Sequence, residues 1–334
     1  MRRGPRSGLF TMVAVHSTVR GPSLGGCRMW TYEDNRAAMR DALRLSEGMT
    51  LKSAVAGLPL GGGKGVIAVP AGEGLDAKRR RQALLDFGET VERLGGTYVT
   101  AEDVGTSTAD MTVIATRTAY VSGLSRRSGG SGDPSPFTAL GVFHSIEATV
   151  ERTFGSPELR GRTVAVVGLG HVGLRVARLL AKAGATLVVA DIDRSKKDEA
   201  ERLGATWTTP VKAMIAAVDV LVPCALGGVL DHDTVPQLQA PTIAGAANNQ
   251  LASADVADLL RERDILWAPD FVANAGGIVN ISVEFEPDGY DPDRATLKTR
   301  EIGDTLRAIF DDAHASNTTP LAAATARAQR NLAR

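Results

Sequence analysis

One hexapeptide, Gly168-Leu169-Gly170-His171-Val172-Gly173, constrains the fold most strongly because of the segments around it. The apolar run 162–167 before it predicts a buried strand, and residues 172–183 after it have the spacing of a helix. A second strand is predicted over 186–190. A strand, a glycine-rich turn, a helix and another strand form a βαβ unit, in which the two strands are parallel. The sequence therefore predicts an α/β fold with a parallel sheet.

The glycine spacing in this turn, G-x-G-x-x-G, is typical of a dinucleotide site. Its glycines allow a pyrophosphate to approach the helix amino terminus, where free N–H groups and the helix dipole favour an anion. Asp191 stands 23 residues after Gly168, which suits the carboxylate that binds the adenosine ribose 2′-hydroxyl. A carboxylate there repels the extra phosphate of NADP, so NAD is predicted despite the nearby cations Arg194 and Lys196. The alternative is a purely structural βαβ unit.

The same alternation continues toward the C terminus. Short apolar segments at 219–222, 242–244 and 265–268 are each followed by small residues and turn formers. They predict further strands whose carboxyl ends share one edge of a doubly wound sheet. Cys224, after the first of these segments, is interpreted as a packing residue rather than a nucleophile.

A second α/β region is predicted before this one. The chain of 334 residues exceeds the size at which a single core stops growing. Residues 125–136, rich in glycine, serine and proline, form the best linker in the sequence. The elements predicted before it are strands at 10–15, 66–69 and 97–100, a helix that Thr31 and Asp34 start as a capping box, with Ala38, Ala42, Leu45 and Met49 as its core stripe, and a helix over 76–94.

Charge and cysteine content narrow the functional classes. The 38 basic and 38 acidic residues balance, which argues against nucleic acid or an anionic membrane as the main partner. The two cysteines, Cys27 and Cys224, lack metal-ligand spacing, so no metal site is predicted. No uncharged apolar run reaches the roughly 18 residues that suggest a transmembrane helix, and the run that ends at His16 lacks a signal-peptide cleavage site. We expect a cytoplasmic protein that acts on small molecules.

Residues 49–67 carry two lysines, Lys52 and Lys64, in an otherwise uncharged, glycine-rich stretch. Lysine is almost never buried without a partner. Either both side chains reach water from a loop, or they take part in chemistry. A lysine near another cation and partly out of water has a lowered pKa and can act as a base. The glycines 61–63 would let the backbone pass close to a ligand.

An acidic pair, Glu102 and Asp103, follows the strand predicted at 97–100. Carboxylates at the carboxyl end of a strand lie where α/β proteins bind ligands. The alternative is that one of them caps the helix after Ser107.

Eight motifs in one order make the chain closely resemble the amino-acid dehydrogenases that act on leucine, valine, phenylalanine and, more distantly, glutamate. The resemblance covers almost the whole chain, and eight ordered motifs are far more specific than any one of them. The motifs are residues 24–30, 52–64, 100–106, 132–138, 168–173, 223–228, 245–251 and 271–277.

The resemblance implies two domains. An N-terminal α/β substrate-binding and oligomerisation domain would comprise residues 1–138, and a Rossmann doubly wound NAD-binding domain residues 139–315, with the active-site cleft between them. A C-terminal helix over 316–334 would pack back on the first domain. Relatives usually carry an additional helix and strand before the segment that starts here near Gly8, a region that contributes to their dimer contacts. A homo-oligomer is implied.

The implied reaction is the reversible, NAD-dependent oxidative deamination of an apolar L-amino acid to its 2-oxo acid and ammonia. The resemblance gives Lys64 the role of catalytic base and Lys52 that of an anchor for the substrate carboxylate, with Lys52 lowering the pKa of Lys64. Asp103 matches the carboxylate that exchanges protons with the amino group. A catalytically silent NAD-binding protein is the alternative from another class.

Further positions match binding residues of the family. Relatives that act on glutamate bind its second carboxylate with a lysine and a serine, where this chain has Leu24 and Ile281; an apolar pocket cannot satisfy that group. Ala101 and Ile278 complete the implied pocket, and the branched Ile278 favours leucine, valine or isoleucine, since relatives that act on phenylalanine tend to have a smaller residue there. The alternative is the same chemistry on phenylalanine, tryptophan or a specialised amino acid. The remaining matches are Asn249 and Asn274 at the substrate or nicotinamide ribose, and Thr138, Ala225, Asn249, the turn from Gly168 to Gly173 and Asp191 at the cofactor.

Overall fold

The computed structural model describes residues 1–333, which form two compact units. Unit 1 contains Met1–Pro134, Ile281–Pro292 and the residues from Ala328 onward. Unit 2 contains Ser135–Asn280 and Asp293–Arg327. Neither unit is therefore continuous in sequence.

A mixed five-stranded sheet forms the centre of unit 1. The strands are β1 (Arg2–Arg3), β2 (Phe10–Ser17), β3 (Ser23–Tyr32), β4 (Gly61–Pro70) and β5 (Tyr98–Glu102). Their order is β1-β2-β4-β3-β5, with β4 antiparallel to β2 and parallel to β3, and β3 parallel to β5. The strands predicted at 10–15 and 97–100 are confirmed.

Helices cover both faces of this sheet. They are α1 (Asn35–Val55), α2 (Ala77–Glu92) and α3 (Thr108–Ala115). Side chains alternate along the central strand β4, so that Val66 packs with Ala38 and Ala42 of α1. Ile67 packs on the other face with Phe87 of α2. The core of unit 1 thus has two layers, one on each side of β4.

The glycine-rich segment is part of β4, which corrects the prediction that a loop leads to a strand beginning at Val66. A Cβ on Gly62 would lie 2.1 Å from the backbone nitrogen of Thr50 in α1, and one on Gly63 would lie 2.7 Å from the Tyr98 ring. Larger residues would exclude these neighbours. The glycines therefore allow close packing on both faces of the strand.

The start of α1 also differs from the prediction. Thr31 remains in β3, so the predicted capping box is wrong. Asp34 alone caps the helix, and its Oδ1 accepts a hydrogen bond of 2.7 Å from the Ala37 nitrogen. Leu45 and Met49, predicted in the core stripe, are only partly buried. The buried residues of the helix are Ala38, Ala42, Ser46, Thr50, Ser53, Ala54 and Val55.

Unit 2 is built on a six-stranded parallel sheet. The strands are β6 (Thr163–Val167), β7 (Thr186–Ala190), β8 (Thr206–Trp207), β9 (Val220–Pro223), β10 (Thr242–Ile243) and β11 (Leu266–Trp267). Their order, β11-β10-β9-β6-β7-β8, moves outward from β6 in both directions, as in doubly wound folds. The predicted Rossmann sheet is confirmed.

Helices α4 (Ser135–Phe154) to α12 (Pro320–Leu332) follow after residue 134. Between these two lie α5 (Gly173–Lys182), α6 (Lys197–Arg202), α7 (Pro210–Met214), α8 (Val256–Glu262), α9 (Asp270–Ala273), α10 (Gly276–Ser282) and α11 (Pro292–Ala315). The buried core of unit 2 includes Ala165, Leu221, Ile243 and Trp267, one from each of four strands. Across the described residues, no helix has the length and apolar character to span a bilayer.

Candidate active site

An ion pair joins Lys64 and Asp103 in unit 1. Lys64 Nζ lies 2.7 Å from Asp103 Oδ2. Lys64 is in the central strand β4 and is 5% exposed, and Asp103 directly follows β5. The lysine is therefore buried and paired, which excludes the interpretation that its side chain reaches water from a loop.

Arg28, from β3, is the second cation at Asp103. Its Nε donates to the same Oδ2 at 3.1 Å, and its Nη1 donates to Asp41 Oδ2 at 3.0 Å. Asp41, on α1, also accepts hydrogen bonds from the Tyr32 hydroxyl at 2.7 Å and from Arg44 at 3.1 Å. The guanidinium of Arg28 is thus clamped between two carboxylates.

Burial and charge act in opposite directions on both carboxylates. Burial raises the pKa of Asp103, but the positive charges of Lys64 and Arg28 lower it by more, so the net shift is downward. Burial likewise raises the pKa of Asp41, and hydrogen bonds from Tyr32 and Arg44 reverse that effect. Both carboxylates are ionised at neutral pH.

The helix after Ser107 does not use the acidic pair as its cap. Ser107 Oγ accepts from the Asp110 nitrogen, and Asp110 Oδ2 accepts from the Ser107 nitrogen at 2.9 Å, which is a capping box. The capping alternative for Glu102 and Asp103 is therefore wrong. Glu102 accepts a hydrogen bond from Thr108 Oγ1 at 2.7 Å.

Two of the predicted pocket residues lie on the same sheet face as Lys64. Leu24 is aligned with Gly62 of β4 and with Val99 of β5. Side chains two residues apart in a strand point to the same face, so Lys64 and Ala101 share the face of Leu24. Leu24 and Ala101 are 1% and 3% exposed. This is the face that α1 covers.

Lys52, Ile281 and Ile278 are placed on helices. Lys52 is in the last turn of α1 and is partly buried. Ile281 belongs to unit 1 and Ile278 to unit 2, and both are buried. Their contribution to a common substrate pocket stays a prediction.

In unit 2 the glycine-rich turn joins β6 to α5. Gly168 has a φ of 101°, which favours glycine. A Cβ on Gly173 would lie 1.9 Å from the Gly168 carbonyl oxygen, so this glycine lets α5 start against the turn. Gly170 has open space in front of it. No side chain from the described residues caps α5, and in its first turn the Leu174 nitrogen donates to the Gly170 carbonyl at 3.2 Å.

Asp191 follows β7 and is held by the backbone. Its Oδ2 accepts from the Leu169 nitrogen at 2.6 Å and its Oδ1 from the Asp193 nitrogen at 2.8 Å. The next residue, Ile192, is 91% exposed. A cavity of about 530 Å³ opens beside them, lined among others by Asp191, Ile192, Trp207 and the cations Arg194, Lys197 and Lys212.

The neighbouring strands β6 and β9 meet where the strand order reverses, which is where doubly wound sheets bind ligands. Ala225, after β9, lies against the glycine turn, since a Cβ on Gly168 would be 2.8 Å from the Ala225 Cβ. Burial raises the pKa of Cys224 to about 12, which suits a packing residue. Thr138 lies in the first turn of α4 and is partly buried.

A buried asparagine directly after α9, Asn274, contacts the loop after β10 and carries an unpaired acceptor. Asn274 Nδ2 donates to the Ala246 carbonyl at 3.1 Å and to Asn248 Oδ1 at 2.8 Å. Asn274 Oδ1 is buried and has no hydrogen-bond partner within residues 1–333. Asn249 has a φ of 51°, an unusual backbone conformation for a non-glycine residue. A buried unpaired acceptor suits a donor from a ligand.

Gln250, to which no role is assigned from the sequence, holds this loop in place. Its side chain is fully buried and donates to the carbonyls of Gly245 at 3.0 Å and Ala247 at 3.1 Å. Its Oε1 accepts from Trp267 Nε1 at 3.1 Å, and its backbone nitrogen donates to Asp270 Oδ2 at 2.7 Å. The only feature of the sequence that points to a role for Gln250 is its position within the motif 245–251.

The Rossmann-like parallel sheet, its glycine turn and a second α/β unit define a two-unit α/β protein of the dehydrogenase type. Two family models match the chain: "Glu/Leu/Phe/Val dehydrogenase, dimerisation domain" over residues 3–120, and "Glutamate/Leucine/Phenylalanine/Valine dehydrogenase" over residues 129–196 and 189–330. The chain belongs to the Glu/Leu/Phe/Val dehydrogenase family.

Individual relatives match over nearly the full chain. A leucine dehydrogenase of Geobacillus stearothermophilus is 43% identical over 98% of this chain and 88% of its own length. A valine dehydrogenase of Streptomyces virginiae is 43% identical over 98% of this chain and 90% of its own. The crystal structure of L-tryptophan dehydrogenase from Nostoc punctiforme superimposes with a TM-score of 0.83 at 39% identity, covering 98% of this chain and 93% of that one.

Proposed function

We propose that the protein catalyses the NAD-dependent oxidative deamination of an apolar L-amino acid, with leucine, valine and isoleucine favoured. The observation that carries the proposal is the ion pair of the buried Lys64 and the partly buried Asp103, 2.7 Å apart, on a sheet face that Lys64 shares with the apolar Leu24 and Ala101. Membership of the dehydrogenase family supports the reaction class.

Lys64 and Asp103 divide the proton transfers. Asp103, ionised at neutral pH, accepts a proton from the substrate ammonium, so that the amine nitrogen can form an imine as hydride leaves Cα. A bound nicotinamide supplies the hydride acceptor. In its neutral form, Lys64 accepts the proton of the water that attacks the imine carbon. Asp103 returns its proton to the nitrogen, which departs as ammonia, and Asp103 then takes the proton of the carbinolamine hydroxyl as the carbonyl forms. Lys52 binds the substrate carboxylate as a cation.

The residues of unit 2 fit NAD. The space before Gly170 and the uncapped start of α5 suit a pyrophosphate. Asp191 is fixed by two backbone N–H groups and retains acceptor capacity for the ribose hydroxyls. Asn274 Oδ1 supplies an acceptor on the nicotinamide side, and Thr138, Asn249 and Ala225 complete the contacts.

The side-chain pocket favours an apolar substrate. Within unit 1, Leu24, Ala101 and Ile281 are all at most 7% exposed, and a carboxylate buried beside them would lose its hydration without gaining a partner. The likeness to a tryptophan dehydrogenase favours an aromatic amino acid as the second candidate.

A homo-oligomer is part of the proposal, with a second copy of this chain at the open edge of β2. β1 pairs only with Phe10 and Thr11, so within residues 1–333 the rest of that edge has no strand partner. Open edges of this kind pair readily with another chain. Leu43, on the adjoining α1, is 57% exposed, and Met39, one turn earlier, is 39% exposed. A family model described as a dimerisation domain covers this region.

A panel of 2-oxo acids with NADH and ammonia, and of amino acids with NAD, tests the proposal. We expect fastest turnover with the branched-chain substrates, and loss of turnover in Lys64→Ala. Preference for phenylpyruvate or indolepyruvate would support the second candidate instead. Absence of turnover with every aliphatic, aromatic and acidic substrate, in a protein that binds NADH, would indicate the catalytically silent alternative. The cytoplasmic location stays a prediction.

A further inference from the structure

We propose that Arg28 is a positioning residue for this reaction: held by Asp41 and Tyr32, it fixes the orientation of the Asp103 carboxylate beside Lys64. The inference rests on the proposed function, because it gives Arg28 a part in proton exchange at Asp103. Arg28, Asp41 and Tyr32 do not stand among the residues to which the family resemblance assigns a role.

The contacts at Asp103 define which of its oxygens is available. Lys64 Nζ and Arg28 Nε both contact Oδ2, at 2.7 and 3.1 Å. In the described part of the chain, Oδ1 forms no ion pair. Two cations bound to Oδ2 restrict the rotation of the Asp103 carboxylate. Oδ1 is then the oxygen that faces a substrate ammonium. Without Arg28, the carboxylate would keep only the Lys64 ammonium, a point charge, and a backbone hydrogen bond from Val104, and its orientation would be less restricted.

A second carboxylate holds Arg28 in this position. Its planar guanidinium presents separate nitrogens to Asp103 and to Asp41, a geometry that an ammonium cannot reproduce. Asp41 is in turn held by the Tyr32 hydroxyl. Arg28 and Tyr32 are four residues apart in β3, so both point to the α1 face. Side-chain exposure of Arg28 and Asp41 is 19% and 16%, which limits screening by water.

The charges around Asp103 determine what the loss of Arg28 would do. Without Arg28, only Lys64 remains as a contacting cation, and the pKa of Asp103 rises toward its ordinary value. Tyr32, Tyr98 and Cys27 stay neutral, since burial raises the pKa of each. The titratable groups on the surrounding elements are Cys27, Arg28 and Tyr32 on β3, Arg36, Arg40, Asp41, Arg44, Glu47 and Lys52 on α1, Lys64 on β4, and Tyr98 and Glu102 on β5.

The test compares Arg28→Met, Arg28→Lys and Tyr32→Phe with the wild type, using the preferred amino acid of the panel over a range of pH. We expect Arg28→Met to lower kcat by about 10- to 100-fold with little change in KM. The acid limb of its kcat profile should move upward by about one pH unit. Arg28→Lys should have the acid limb of its kcat profile at the pH of the wild type, but its kcat should stay below that of the wild type. Tyr32→Phe should lower kcat by about threefold without moving the limb.

Arg79→Met is the matched control, because it removes an exposed arginine–carboxylate pair, with Glu73, from the same unit. It should behave as the wild type. NADH titration of every variant reports whether unit 2 is intact. An unchanged rate and acid limb in Arg28→Met would overturn the inference. If Arg28→Met does not fold, the inference would be overturned when both Arg28→Lys and Tyr32→Phe have the kcat and the acid limb of the wild type. An inactive wild type would instead contradict the proposed function.

Discussion

Lys64 and Asp103 form their ion pair across β3, although they come from β4 and β5, which are not neighbours in the sheet. Gly26 of β3 lies at the crossing point. A Cβ on Gly26 would be 2.6 Å from the Asp103 Cβ and 2.7 Å from the Glu102 carbonyl oxygen. The missing side chain of Gly26 therefore lets the two charged groups approach each other.

The close approach of Gly26 to Asp103 predicts that Gly26→Ala lowers kcat by displacing Asp103, without changing any charge. The added methyl group must displace the backbone at Glu102 and with it Asp103. We expect kcat to fall by at least about tenfold, because proton transfer needs heavy atoms within hydrogen-bond distance. Gly74→Ala is the control, since a Cβ there has open space. Equal kcat values for Gly26→Ala and Gly74→Ala would contradict the role of Gly26.

A second prediction concerns stability and pH. The pKa of Asp103 is lowered in the folded protein, so its stabilising effect is present above about pH 4 and is lost as the pH falls through that lowered pKa. Asp103→Asn leaves the buried Lys64 without its anion, and we expect a loss of up to about 3 kcal/mol in the free energy of unfolding at neutral pH.

Thermal midpoints of wild type and Asp103→Asn, measured across pH, check this. Their difference should be constant between about pH 8 and 5 and should shrink below about pH 4. Asp311→Asn removes an exposed pair with Arg152 and should shift the midpoint little at any pH. A difference for Asp103→Asn that grows as the pH falls would show that the charge of Asp103 does not stabilise the fold.

The architecture of unit 2 could be predicted from sequence because its signals are local. β7 has the limits predicted, and the strand, glycine turn and helix around Gly168 lie in consecutive residues. The fold of unit 1 is harder to predict, because its glycines are required by contacts with residues that are distant in sequence. Gly62 is required by Thr50 and Gly63 by Tyr98, so neither could be distinguished from a loop glycine before the fold was known.

The site shows the same division between local and distant signals. Lys64 and Asp103 stand in motifs that could be recognised one at a time. Arg28 lies in such a motif too, but its partner Asp103 is 75 residues away, and Asp41 is 13 residues away on a different element. No spacing in the sequence indicates that one guanidinium joins two carboxylates. Only the packing of α1 on β3 brings them together.

A third prediction concerns the cofactor. Arg194, Lys197 and Lys212 line the same cavity as Asp191. If Asp191 binds the ribose as proposed, these cations would attract a 2′-phosphate and the Asp191 carboxylate would repel it. We expect Asp191→Ser to lower the preference for NADH over NADPH at least about tenfold.

Fluorescence titration with both reduced cofactors measures this preference without turnover. Adding Arg194→Gln to Asp191→Ser should weaken NADPH binding again, and more at low salt than at high salt. If Asp191→Ser binds NADH and still rejects NADPH, the three cations do not form a phosphate site.

The last prediction concerns assembly. Thr50 of α1 contacts His16 of β2 at 2.9 Å, and the exposed Leu43 stands two turns before Thr50 on the same helix. Leu43→Glu places a charge in the proposed interface and should shift the protein to a smaller species in analytical ultracentrifugation, at micromolar concentration. Leu297→Glu, at a 61% exposed position on α11, is the control and should leave the assembly unchanged. If both variants sediment as the wild type does, the second copy binds elsewhere, because a buried unpaired glutamate would weaken any interface that includes Leu43.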